Sequence, residues 1–369
     1  MSILVFGMRM YNLFFLLYVF ILIVSWMLCI FENKLKTRDK KLILLILIFI
    51  LSSLMATRPE EIADTSNYIK IYNQVSGLNM KSFHIGKRFE GIEYSFAWLM
   101  KCFAYFFKTP RALFFFCSFF TCISIMYGLC ICEKYISEDK EIHIFANWAL
   151  FLCYCGLHYC GIAIRGGLSI GLGLCAIAFL LSNKRKTACF FMLAALSMHS
   201  ISILFIGIYI IMFFFPAISK RTYLIVWTLL FVSLAFNLGR FWIGGLSQAL
   251  LGILLQFGVQ GFDSYLSFMD YEVGITDWYM LIVVGILLFC GFNKGKRSQK
   301  FEKVVFCGMV IISVAYPIRA VNRAYDYFLV FLIPLIANCF SKKEFEKKRM
   351  LIWIYMPLMF IVQFKMCYF

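Results

Sequence analysis

The chain has 369 residues, is 63% hydrophobic and 15% charged, and carries 43 phenylalanines. A soluble domain of this size needs a far more polar surface, so a soluble enzyme or soluble binding module is excluded. The net charge of +17 sits in short clusters at the ends of apolar runs, without a basic stripe or a nucleic-acid motif. That pattern indicates positive-inside anchoring and not a nucleic-acid partner.

Apolar runs of bilayer-crossing length recur along the chain, and each must be helical because lipid offers no partner to an open backbone. The sequence therefore predicts an all-α, polytopic integral membrane protein. It forms one membrane domain over residues 1–369, with about ten to thirteen transmembrane or partly inserted helices and two larger outer loops. Residues 11–31 are too long for a signal-peptide core and lack a small-residue cleavage site, which predicts a retained first helix. Basic clusters at 34–41, 183–186, 220–221, 294–300 and 342–349 define the cytoplasmic side.

Residues 42–57 then run outward and deliver Arg58 to the outer side, where 58–92 form the first outer loop. Residues 94–107 are short and hold Lys101, which predicts a half-inserted or re-entrant outer helix. Residues 113–132 return inward, so 133–143 are cytoplasmic. Residues 144–161 run out to Arg165 and a hinge at Gly166 and Gly167, and 168–181 come back. Residues 187–216 lie between two cytoplasmic clusters and must go up and back as two short helices. His199 sits at their tip, in the outer half of the membrane. After the outward run 223–238, residues 239–277 form the second outer loop. It has four acidic residues against the single basic Arg240, and an amphipathic surface stretch at 246–257. Residues 278–292, 304–317, 324–340 and 351–364 complete the crossings, with Arg319 and Arg323 in an outer turn.

Arg58, Arg165, Arg319, Arg323 and His199 thus share one face. Cations at membrane depth are costly, so their gathering points to an anionic ligand. The planar guanidinium fork matches phosphate oxygens, and several arginines suit a diphosphate. Arg319 and Arg323 are four apart and share a helical face; Asp326 competes for one of them, and Arg323 is the better candidate. His199 can serve as general base, general acid or phosphate donor. His143, His158 and the loop residue His84 are weaker candidates.

In the run D-T-S-N-Y, Asp64 either caps a helix or positions an incoming hydroxyl, with Tyr68 against a sugar or phosphate. Glu90 and Glu93 are alternative carboxylates on the same face. Most of the 15 cysteines lie inside apolar runs as small hydrophobes. There is no C-x-x-C, zinc spacing, P-loop, G-x-S-x-G or dinucleotide fingerprint, and no D-x-D in the outer loops. No metal site and no cofactor are expected.

The run I-R-G-G-L-S-I-G-L-G-L-C-A-I-A-F-L-L-S-N-K-R-K followed by L-A-A-L-S-M-H-S-I-S-I-L-F resembles the centre of EpsG-type, Wzy-like polysaccharide polymerases. An Arg opens one helix there and a His sits at the next outer turn, positions held here by Arg165 and His199. R-P-E-E-I-A-D-T-S-N-Y-I-K-I-Y resembles the family's Arg, Asp and Tyr block, giving Arg58, Asp64 and Tyr68. N-R-A-Y-D-Y-F-L-V-F-L-I-P resembles its Arg-aromatic-Pro block, giving Arg323 and Tyr327. This chain has Gly166 where a Gln usually follows the central Arg, and Ile62 and Ala63 where Gly-Thr usually precedes the Asp.

The resemblance implies a bacterial inner-membrane glycosyltransferase with its site on the periplasmic side. It would join undecaprenyl-diphosphate-linked oligosaccharide repeats into O-antigen, capsule or exopolysaccharide. Its expected partners are the lipid bilayer and, as candidates, a chain-length regulator and a flippase. His199, Asp64 and Arg165 would be catalytic, with Arg58, Tyr68, Arg319, Arg323 and Tyr327 binding substrate. A flippase for the same glycan would use the same arginines but needs a path to both faces. A membrane O-acyltransferase would need a cytoplasmic acyl-donor site.

Overall fold

The computed structural model describes residues 2–78, 92–137, 142–239, 273–274, 277–278, 281–282, 284–285, 288, 295–315, 324 and 326–341. Arg319, Arg323, most of the second outer loop with its amphipathic stretch, and the last crossing lie outside these residues, as do His84 and Glu90. The architecture is all-α and polytopic, as expected. Among the described residues, three helices are long and apolar enough to cross a bilayer: Asn12–Lys34, Pro110–Ile136 and Ile164–Leu181. Shorter apolar helices accompany them.

The chain divides into two compact units. The first, residues 1–205 and 337–369, contains α1 (Ser2–Phe31), α2 (Thr37–Ala56), α3 (Thr65–Gly77), α4 (Tyr94–Phe106), α5 (Pro110–Ile136), α6 (Ile144–Phe151), α7 (Ile164–Leu181) and α8 (Arg185–Met198). The second, residues 206–336, contains most of α9 (Leu204–Phe214), then α10 (Lys220–Ala235), α11 (Lys296–Ala315), α12 (Asp326–Leu329) and most of α13 (Leu332–Ala337). In that second unit Gly308 gives the Phe328 side chain room against α11, and Tyr223 meets Phe306 edge to face.

The first unit is built around α5 and α7. Gly167 and Gly171, four apart on α7, face Thr121 and Ser124 of α5, and Gly128 of α5 faces Leu174. Small residues at this spacing let two backbones approach where no hydrophobic effect drives helices together in lipid. Leu16, Phe20, Leu45, Phe49, Phe120, Phe190 and Leu193 point outward and are exposed. An apolar exterior of this kind is stable only with lipid as the solvent.

Local chemistry sets the helix ends. Thr109 accepts from the Arg111 N–H at the start of α5, and Pro110 follows it, where its missing N–H costs nothing. Such a cap contributes about 1 kcal/mol. The basic turn after α7 closes through Asn183, left-handed at φ 59, while the Lys184 N–H donates to the Phe179 carbonyl. This satisfies carbonyls that the helix end would leave open.

The helix α6 runs on through two π turns, Leu152–Gly156 and His158–Ile162, and the chain breaks at Ala163. The expected hinge at Gly166 and Gly167 is therefore displaced: both glycines lie inside the first turns of α7. A Cβ at Gly167 would run into the Tyr159 carbonyl oxygen. The glycines serve close packing rather than flexibility.

Two polar ends result. Glu32, Lys40, Glu133 and His143 meet at one end, which brings Glu133 and His143 beside the basic cluster at 34–41, a pairing that their nearly balanced charge only weakly indicated. The Glu32 carboxylate accepts from the Phe145 N–H at 3.2 Å. Glu133 accepts from His143 through both its backbone and ring nitrogens, and from Asn147. Two carboxylates thus cap the N-terminus of α6, where the helix dipole favours negative charge. His143 is accordingly a buried structural residue. From Lys40 to Ala56, the last residue of α2 before Arg58, the helix rises about 24 Å, near the thickness of a bilayer core.

Candidate functional site

The other end of the first unit holds the candidate site. The helix α3 is amphipathic: Tyr68, Ile71, Tyr72 and Val75 recur at helical spacing and are buried. They pack with Ile92, Phe96 and Met100 near and along α4, with Leu113, Phe114 and Cys117 of α5, and with Ile164 and Leu168 of α7. This cluster fixes three points at which polar side chains converge: the start of α4, the start of α7 and the break after α8.

Glu93 stands at the N-cap of α4, but its side chain makes no cap hydrogen bond there. It reaches across instead. Its Oε2 accepts from Arg165 Nη1 at 2.5 Å, and its Oε1 lies 2.7 Å from His199 Nδ1. The backbone N–H of Ser200 donates to the same Oε1 at 3.3 Å. Arg165 also donates from Nε to the Tyr68 hydroxyl at 3.4 Å. Glu93 is 12% exposed, against 22% for Arg165 and 28% for His199. The group is sheltered but reachable.

The electrostatics follow from this geometry. Burial alone would raise the Glu93 carboxyl. The hydrogen bond and charge of His199, with the charge of Arg165, outweigh it and hold the group down at about 2. The ionised Glu93 accepts from Nδ1 of His199, so that ring nitrogen carries a proton. Nε2 has no partner among the described residues. A carboxylate holding an imidazole by Nδ1 is the arrangement that orients a general base. The break that presents His199 is braced below by the hydroxyls of Ser169 and Ser202, which hydrogen-bond to each other, and Ser202 also donates to the Ala195 carbonyl.

Arg58 lies against the same cluster and is 6% exposed. Its Nε donates to Thr65 Oγ1 at 3.0 Å, and its guanidinium carbon sits 3.8 Å from the centre of the Phe114 ring. Nη1 and Nη2 are buried and have no hydrogen-bond partner among the described residues. Burial brings its pKa down to about 10, against the pull of Tyr68, Cys117 and Asp64, so it stays charged near neutral pH. A buried cation with two open donors is costly unless an anion meets it.

Of the residues expected from sequence, Arg58, Tyr68, Arg165 and His199 gather at this end of the first unit. Asp64 is exposed at the N-cap position of α3, left-handed at φ 64, with no side-chain cap hydrogen bond. The carboxylate that meets Arg165 and His199 is Glu93, named from sequence only as an alternative. Its signal was its place directly before the short apolar run 94–106, which carries it to the depth of that helix. Tyr327 is buried in α12 of the second unit. Arg319 and Arg323 lie outside the described residues. Among the described residues no group of three or more metal-ligating side chains occurs.

A family model described as the EpsG family matches residues 41–369. No curated protein and no solved structure matches the chain.

Proposed function

The chain belongs to the EpsG family of polysaccharide-polymerase-type membrane proteins, and from that premise we propose that it is a glycosyltransferase that joins lipid-linked oligosaccharide repeats. The donor and acceptor are carried on a polyprenyl diphosphate of the undecaprenyl type, and the site opens on the outer side of the bacterial inner membrane. The single observation that carries this reading is Glu93 bridging Arg165 and His199, with the open donors of Arg58 against the same cluster.

The chemistry follows from charge and proton balance. The acceptor hydroxyl oxygen forms a bond to the anomeric carbon of the donor sugar, and the bond from that carbon to the diphosphate oxygen breaks. The electron pair leaves with the lipid diphosphate, where Arg165 and Arg58 stabilise the growing charge. The hydroxyl proton passes to Nε2 of His199, and Glu93 stabilises the imidazolium that forms. Tyr68 positions Arg165. Arginines supply the neutralisation that a metal would otherwise provide, and Arg319, Arg323 and Tyr327 are assigned to the remainder of the substrate. Asp64 is the alternative group to orient the acceptor.

The test is the product ladder. Arg165→Ala and His199→Ala are expected to abolish long chains while single-repeat products persist and are still exported. Wild-type chain lengths in both variants would overturn the assignment. Loss of exported single repeats would favour a flippase instead.

A further inference from the structure

At the opposite end of α2 and α5 from Arg58 lies a groove of about 850 Å³, bordered by Lys40, Lys41 and Lys134 and walled by Leu45, Ile48, Ile123 and Tyr127. We propose that this groove is a binding site for one membrane glycerophospholipid with an anionic headgroup, its phosphate between the lysines and an acyl chain along the apolar wall.

The lysines give the headgroup its sign. Lys41 and Lys134 are exposed and make no ion pair with a described carboxylate. Lys40 has one, Glu32 at 3.7 Å, and that carboxylate already accepts from the Phe145 N–H. Glu133, beside Lys134 in sequence, is turned inward and accepts from His143 and Asn147. Lys41 and Lys134, unpaired with any carboxylate among the described residues, call for an anion and do not suit a choline headgroup.

The wall excludes a free anion. From Lys41 to Ile48 the helix rises about 10 Å, and Leu45, Ile123 and Tyr127 along it are exposed apolar side chains. An occupant that satisfies both ends must be charged at one end and apolar along its length. The volume is that of an ordinary ligand pocket. Basic pockets at the cytoplasmic ends of transmembrane helices fit anionic lipid headgroups. This site rests on the membrane fold alone and is separate from the transferase reading.

The experiment is native mass spectrometry of the delipidated full chain, titrated with phosphatidylglycerol or phosphatidylcholine. A lysine near a phosphate contributes about fivefold in affinity. Wild type is expected to prefer phosphatidylglycerol by at least about tenfold. The double variant K41Q/K134Q is expected to lose about twenty-five-fold and fall to the phosphatidylcholine level. Ile123→Trp, which fills the wall without touching the charges, is expected to weaken both lipids. Equal affinity for the two lipids, or an unchanged double variant, would overturn the proposal. Displacement of phosphatidylglycerol by an equal concentration of glycerol 3-phosphate would overturn it too, because the wall would then contribute nothing. Lys41 and Lys134 are exposed, so their loss leaves the fold intact.

Discussion

Glu93→Gln is the sharpest perturbation of the site. The substitution keeps the size of the side chain and removes its charge. The fall of the Glu93 carboxyl from 4.5 to about 2 corresponds to about 3 kcal/mol of stabilisation for the ionised form. Two charge-assisted hydrogen bonds at about 1.5–3 kcal/mol each lead to a similar figure. With an amide in place, Arg165 loses its ion pair with Glu93 and the Nδ1 proton of His199 loses its carboxylate acceptor. Stability is expected to fall by about 3 kcal/mol. Polymerisation is expected to fall on the order of 10²- to 10⁴-fold, as when an orienting carboxylate is removed from a catalytic imidazole.

The assays are thermal unfolding of the purified protein and the length distribution of lipid-linked polymer. Residues that act as one unit are not additive. The double variant E93Q/H199A is therefore expected to polymerise no worse than H199A alone. Wild-type polymer length and unfolding temperature in Glu93→Gln would refute the reasoning, and additive losses in the double variant would refute the coupling.

The other expectations concern charge, packing and pH. Arg58→Met removes a buried cation with open donors, so unfolding temperature in the absence of substrate should hold or rise while polymer is lost; a drop of several degrees would make Arg58 a structural residue. Gly167→Ala drives a methyl group into the Tyr159 carbonyl, which should cost about 1–3 kcal/mol and shift Arg165, seen as lower stability and shorter chains together. Glu133→Ala opens the buried cap of α6 and should cost about 3 kcal/mol in thermal unfolding, with unchanged activity per folded molecule. Because the folded Glu93 value lies below its ordinary 4.5, its contribution to stability is complete above about pH 5 and is lost as pH falls toward 2. Acid unfolding of wild type minus that of Glu93→Gln measures that window.

The helical class, the apolar exterior and the alternation of polar ends follow from composition and run length, because lipid imposes backbone closure on any segment that crosses it. The short helices were legible as well. Residues 94–107 were too short and too polar for a full span, and α4 is a helix of 13 residues. Residues 187–216 had too few positions for two full crossings, and His199 does sit at the break between α8 and the turn that leads into α9. The pairing of 133–143 with the first basic cluster could be read only weakly from nearly balanced charge; Glu133, Glu32 and Lys40 meeting at one end decide it.

The cations at the site were readable one by one, since a charge at membrane depth is conspicuous against its apolar neighbours. Their partner was not. Glu93 lies 72 residues from Arg165 and 106 from His199 in sequence, and no local pattern links a carboxylate to a guanidinium and an imidazole that far along the chain. The break at Ala163, the packing role of Gly166 and Gly167, and the exposure of Asp64 were likewise set by which backbones approach one another. Sequence alone determined the helical membrane class and which charges stand out at the ends of apolar runs, because solvation acts on each residue separately. Only the tertiary structure decided which charges meet, because contact depends on the packing of helices that the chain itself keeps apart.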